Sequence, residues 1–229
     1  MTPERSARIQ AVLNQRQNDL TIITDDVHKP HNISAIMRSC DAFAVKELHA
    51  ILGDVRFRPG NSATSGAKNW VKLHRHKTLQ ACTEQLKKQG YKILAAHLSE
   101  RAKPYRDVDY TVPTAILFGS ELTGISAAAA AMADEHIIIP MSGMVESLNV
   151  SVAAALILAE AHAQRSAKGM LAQRSISDAE HQTLLFEWGH PKFAHLCRER
   201  NLPYPRMRDD GEVEDLNALV AMINASAVG

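Results

Sequence analysis

From Ile137 to Ala161 the chain reads IIIPMSGMVESLNVSVAAALILAEA, a β-branched run that passes through a polar loop straight into an apolar helical stretch. Few folds accommodate this order. Ile137, Ile138 and Ile139 are the kind of short run that fills a strand buried on both faces, and Pro140 lacks the N–H needed to continue a ladder. The strand must therefore end in a loop. Ser142, Gly143, Glu146, Ser147 and Asn149 then place hydroxyl, amide and carboxylate groups at a helix start, where first-turn N–H groups have no partners within the helix. Ser147 could serve only as a helix cap, but that leaves Asn149 and the loop around Gly143 without a role. The stretch predicts a polar ligand site at the carboxyl end of a buried strand.

The rest of the chain repeats this order of elements. Short β-rich runs span Leu20 to Ile23, Glu47 to Ile51, Val71 to Leu73, Lys92 to Ala95, Thr114 to Phe118 and Glu135 to Ile139. Helical patterns from Ser34 to Phe43, Leu79 to Gln89 and Ser126 to Ala133 fall between several of them. Alternation of this kind predicts an α/β fold with a mostly parallel sheet covered on both faces, and ligands at the carboxyl ends of its strands. The ends read as helical extensions. Thr2 and Pro3 make a helix start, and runs from Asp178 to Trp188 and from Pro191 to Arg200 precede the proline-rich LPYP. The expected division is 1–19, 20–167 and 168–229.

Charge is segregated along the chain although the net value is only +1. Arg5, Arg8 and Arg16 stand near the start against Glu4. Arg165, Lys168 and Arg174 form a second group, and Lys192, Arg198, Arg200, Arg206 and Arg208 a third. An acidic run from Asp209 to Asp215 offsets them in the total while leaving local positive surface for phosphates. Cys40, Cys82 and Cys197 are isolated and lack CxxC spacing, so neither a disulfide nor a metal site is expected and a reducing compartment is favoured. No charged-then-apolar leader is evident, and Ser151, Glu160 and His162 interrupt the longest apolar pattern, so a soluble cytoplasmic protein is expected. Neither GxGxxG nor GxxxxGK[ST] occurs, which argues against dinucleotide and nucleoside triphosphate sites.

Three segments in order carry a likeness to a known family. They are NISAIMR, with Asn32 and Arg38; ILFGSELTGIS, with Gly119, Glu121 and Gly124; and SLNVSVA after Ile139 and Pro140, with Ser147 and Asn149. They resemble the three motifs of the SpoU branch of the SPOUT RNA methyltransferases. The opening ERSARIQAVLNQRQNDLT, the VHKPHN segment around His28 and His31, and the late NLPYPRMRDDGEV are similar to the flanks of that branch's tRNA (guanosine-2′-O)-methyltransferases. This resemblance implies a sheet ending in a C-terminal trefoil knot, S-adenosyl-L-methionine as methyl donor and a homodimer with its site near the interface. It also implies tRNA as the substrate, methylated on the ribose of the D-loop guanosine at position eighteen. A ribosomal RNA 2′-O-methyltransferase of the same branch is a rival reading that the LPYP tail disfavours. A catalytically idle tRNA-binding module is another, disfavoured by intact Arg38, Ser147 and Asn149.

The same resemblance assigns site residues. Main-chain groups near Ala96, Leu117, Gly119, Ile139, Met141 and Leu148 would hold the cofactor. Arg38 would act on the reacting hydroxyl, and Asn32 would orient Arg38. Guanidinium stays protonated in proteins, so Arg38 is better suited to clamping the neighbouring phosphate and stabilising oxyanion character than to acting as a base. Ser147 and Asn149 would bridge cofactor loop and RNA, and Glu121 would brace the site. Arg5, Arg8, Arg16, His31 and Arg165 are the expected RNA contacts.

Overall fold

A computed structural model describes residues 1–27, 29–53, 64–120 and 123–226. It divides into two compact units, one of Gln17–Met170 and one combining Met1–Arg16 with Leu171–Gly229. The two ends, expected as separate extensions, thus belong to a single unit.

In the larger unit the strands are β1 (Leu20–Asp25), β2 (Glu47–Ile51), β3 (Lys72–His76), β4 (Lys92–Ala96), β5 (Lys103–Pro104), β6 (Thr114–Phe118) and β7 (Glu135–Ile138). The helices there are α2 (Pro30–Ala42), α3 (Leu79–Lys88), α4 (Ala127–Met132) and α5 (Val150–Ala167), with α1 (Pro3–Gln15) preceding them in the smaller unit. Among the described residues the strands form one sheet in the order β3-β2-β1-β6-β4-β7-β5. Every pairing is parallel.

Alternation along each strand divides the core between the two faces. Ile22, Leu94, Ile116 and Ile137 join Ile33, Ile36 and Met37 of α2 and Ile157, Leu158 and Ala161 of α5. Their neighbours Ile23, Ile93, Ala95 and Leu117 join Leu79, Cys82 and Leu86 of α3 and Ala129 of α4. This follows from the two-residue period of a strand, and burial on both sides accounts for the near-continuous apolar runs. Local signals set the helix starts. Thr78 caps Ala81 and Ser126 caps Ala129 through their hydroxyls. Pro30 occupies the first turn of α2, so this helix begins earlier than the expected Ser34 and takes Asn32 inside it. No described helix is long and apolar enough to cross a membrane.

In the smaller unit Thr2 caps α1 by accepting from the Arg5 amide, as its sequence predicts. Helices α6 (Asp178–Gly189), α7 (Pro191–Glu199) and α8 (Leu216–Ala225) complete it. Leu185, Phe186 and Trp188 are buried there. Cys40, Cys82 and Cys197 are all free and buried.

Candidate active site

The sheet order reverses between β1 and β6, and β6, β4 and β7 end in a shared cavity of about 660 Å³. Its wall comes from Ala96, His97 and Leu98 after β4, Phe118, Gly119, Ser120 and Gly124 after β6, and Ile137 to Met141 along and after β7. Glu146, Ser147, Leu148, Asn149 and the first turns of α5 close it, with Lys29 before α2. This is the crevice at strand carboxyl ends where open parallel sheets bind ligands. The size lies within the range of small-molecule sites, and apolar side chains stand beside a few polar ones.

Close main-chain packing shapes the wall after β6. Ser120 and Gly124 exchange backbone hydrogen bonds at 3.0 Å in each direction, and the Ser120 hydroxyl also accepts from the Thr123 amide at 3.0 Å. A Cβ on Gly119 would lie 2.1 Å from the Gly124 oxygen, so only glycine permits this approach. Glu121, expected here, lies outside the described residues, as does His28.

Asn149 is the N-cap of α5, its Oδ1 accepting from the Ser151 amide at 2.8 Å. Its Nδ2 donates to Oδ1 of buried Asn32 at 3.2 Å, joining two motifs 117 positions apart in the chain. Asn32 was expected to orient Arg38, and here the structure differs. Six residues along a helix carry a side chain about 9 Å along the axis and off the first residue's face, and Asn32 turns toward α5. Arg38 is exposed on α2, does not line the cavity, and has no hydrogen-bond or ion-pair partner among the described residues.

Ala96, Gly119, Ile139, Met141, Leu148, Ser147 and Asn149 all line the cavity. Leu117 does not, because it belongs to the core on the opposite face of the sheet with α3 and α4; its neighbour Phe118 lines the cavity instead. His31 is exposed and outside the wall. Glu146 of the expected polar loop is in the wall, and Lys29 and His97 are wall residues that the sequence did not single out, although each lies within a few positions of a motif residue or a strand end. Burial, and then the charges of His136 and Arg101, hold His97 below the usual imidazole range. It meets His136 edge-on with ring centroids 5.2 Å apart.

Two of the expected RNA contacts are overturned. Arg165 is fully buried at the end of α5, donating to Tyr110 O at 2.8 Å, Gln17 Oε1 at 2.9 Å and Val112 O at 3.1 Å, and pairing with Asp19. Arg16 is also fully buried, its guanidinium 5.1 Å from the centre of the Trp188 ring. Neither side chain is exposed to meet a phosphate. Arg5 and Arg8 are exposed, Arg5 donating to Trp188 O at 3.1 Å. The late basic run is also less available than its composition suggests. Arg174, Arg198, Arg206 and Arg208 each face a carboxylate, those of Asp178, Glu187, Glu214 and Asp210.

Comparison with known proteins places these residues in context. The SpoU rRNA Methylase family matches residues 19–159, and the SpoU rRNA methylase C-terminal family matches residues 163–216. The chain is 50% identical over 216 residues to the tRNA (guanosine(18)-2′-O)-methyltransferase of Escherichia coli K12, covering 93% of this chain and 94% of that one. The crystal structure of the A. aeolicus TrmH/SpoU tRNA modifying enzyme superposes with a TM-score of 0.76 at 39% identity, covering 81% of this chain and 94% of that one. The SpoU methyltransferase AviRb of Streptomyces viridochromogenes, crystallised with the cofactor AdoMet, superposes with a TM-score of 0.60 at 26% identity, covering 68% of this chain and 64% of that one.

Proposed function

The chain belongs to the SpoU rRNA methylase family, and within it we propose a tRNA (guanosine(18)-2′-O)-methyltransferase that uses S-adenosyl-L-methionine. The observation that carries this reading is 50% identity over 93% of the chain, a span far longer than the motifs. A ribosomal RNA enzyme of the same branch would share the motifs alone.

The cavity fits the cofactor. Its volume suits a ligand of that size, its glycine-shaped wall brings main-chain groups close, and its polar groups stand among apolar ones, as a nucleoside joined to an amino acid requires. When bound, S-adenosyl-L-methionine supplies a methyl group on a positively charged sulfonium. Main-chain groups at Ala96, Phe118, Gly119, Ile139, Met141 and Leu148 would hold it. Neutral His97 adds no positive charge to the wall.

The chain's own groups then act on the RNA. Arg38, outside the wall and without a protein partner among the described residues, is suited to meet a phosphate beside the target ribose. Its planar fork would hold that phosphate and stabilise developing charge on the 2′-oxygen, the proton passing to phosphate or water. Asn32 acts one step back by fixing Asn149, which with Ser147 lies between cofactor loop and RNA. Glu121 keeps its bracing role in this reading, and exposed Arg5, Arg8 and His31 remain RNA contacts.

The reading includes a trefoil knot at the carboxyl-end loops, a homodimer, no metal requirement for methyl transfer and a cytoplasmic location. Exposed Val152 and Leu156, one turn apart on α5, and exposed Met144 and Val145 in the preceding loop support the dimer. They put apolar surface beside the cavity that a second copy would cover.

A transcript with deoxyguanosine at the target tests the chemistry, because it lacks the 2′-hydroxyl. It should bind and accept no methyl group, whereas methylation of that transcript would show a base methyltransferase.

A further inference from the structure

On the half of the sheet remote from the cavity, β1, β2 and β3 end beside α3 in a cluster that methyl transfer does not use. The register pairs His49 of β2 with His74 of β3, and the two-residue period brings Glu47, His49, His74 and His76 to one face. His49 stacks on His74 with centroids 4.8 Å apart and on His76 at 5.1 Å. Cys82, in the first turns of α3, completes the group. One ligating atom from each of His49, His76 and Cys82 lies within 4.8 Å of the other two. None of the three lines the cavity.

We propose that His49, His76 and Cys82 form a site for one zinc-type transition-metal dication, bound through Nδ1 of His49, Nε2 of His76 and Sγ of Cys82. Those two imidazole nitrogens are 2.9 Å apart, so they face one another across a single shared proton that a metal would replace. Metal–nitrogen bonds of about 2.0–2.1 Å and a metal–sulfur bond of about 2.3 Å at tetrahedral angles require ligand separations of roughly 3.3–3.7 Å. The imidazoles must part by a few tenths of an ångström and the sulfur must close by about 1 Å, movements of rotamer scale.

One feature points to a ligand beyond proximity. His49 is 2% exposed, yet its Nε2 has no hydrogen-bond partner. The nearest carboxylate oxygen, Oε1 of Glu47, lies 3.8 Å from that nitrogen. With a metal on Nδ1, the proton sits on Nε2 and faces this carboxylate, the arrangement that orients metal-bound histidines. Two nitrogens and one sulfur suit zinc and leave a fourth position for water.

Proton accounting is simple. Whichever imidazole donates in the empty pair moves its proton to its other nitrogen, and only the thiol proton is released. Uptake should therefore release one proton per metal.

The test uses the full chain without a histidine tag, freed of metal by chelation and titrated with zinc by calorimetry in buffers of different ionisation enthalpy. One equivalent should bind with release of one proton, and cobalt(II) should give a thiolate charge-transfer band in the near ultraviolet. Cys82→Ser and His76→Gln should each weaken zinc binding roughly 100-fold or more. His76 is half-buried at a strand end, so its replacement spares the fold if the fully buried Cys82 proves intolerant. No stoichiometric uptake, equal affinity in the folded variants, or a cobalt complex without the thiolate band would overturn the proposal. S-adenosyl-L-methionine titrated into the same samples reports on cofactor binding separately.

Discussion

Replacing Arg165 by methionine keeps most of the aliphatic stem and removes every donor of a fully buried guanidinium. Lost are its hydrogen bonds to Tyr110 O, Gln17 Oε1, Asp19 Oδ1, Asp19 O and Val112 O. Removing one partner of a buried ion pair costs about 3–5 kcal/mol. The Asp19 side chain is 33% exposed, so water can recover part of its charge and the pair itself falls near the low end. The Tyr110 carbonyl loses its Arg165 donor, at about 1 kcal/mol, whereas Val112 O keeps the Thr114 hydroxyl. These contributions overlap, and about 3–4 kcal/mol is the expected loss, or a fall in Tm of roughly 10 °C for a chain of this size. Urea and thermal unfolding followed by circular dichroism measure it. The salt dependence of tRNA binding should stay as in the unaltered protein wherever the variant is folded. A loss under about 1 kcal/mol, or a salt slope lower by about 0.7–0.9 with unchanged Tm, would make Arg165 a phosphate contact and refute the structural role.

Arg38→Ala should abolish methyl transfer and leave cofactor affinity within about twofold, and Arg38→Lys should restore little because a point charge cannot replace the planar fork; single-turnover rates with parallel calorimetry measure both. Gly119→Ala should weaken cofactor binding by more than about tenfold while the protein stays folded, since the new Cβ would fall 2.1 Å from Gly124 O and force the wall apart; unchanged affinity would remove that wall from the site. His97 binds its proton weakly, from burial first and the charges of His136 and Arg101 second. Protonating it adds a positive charge to the wall of a cavity that would hold a cationic sulfonium ligand, so cofactor affinity should fall as pH drops through its depressed pKa, by roughly fivefold after solvent screening. The His97→Gln variant should lack that dependence, and matching pH profiles would exclude His97 as the cause.

Much of the core was legible because its signals are local. The spans of β2 and β6 match the β-rich runs to the residue, and Thr2 caps the helix whose start it was expected to make. Motif residues after β6 and β7 line one cavity because parallel strands all present their carboxyl ends on the same side. Distant partners escaped notice. Arg16 and Arg165 look like surface charges until Trp188 and the Gln17 to Asp19 segment are seen around them. The expectation that no metal would bind rested on cysteine spacing, which is blind to histidines that sheet register brings side by side. The two-residue β5 is too short for periodicity to reveal, and α8 follows a run of acids and turn residues that masks its apolar pattern.

The central claim is tested most directly by mapping the methylated nucleotide. Bulk tRNA lacking this modification would be incubated with the protein and S-adenosyl-L-methionine, digested, and read by mass spectrometry against a 2′-O-methylguanosine standard. The account predicts 2′-O-methylguanosine in the D-loop fragment, at the guanosine 18 named for the E. coli relative. Base-methylated guanosine, or methyl groups on ribosomal RNA and never on tRNA, would contradict it.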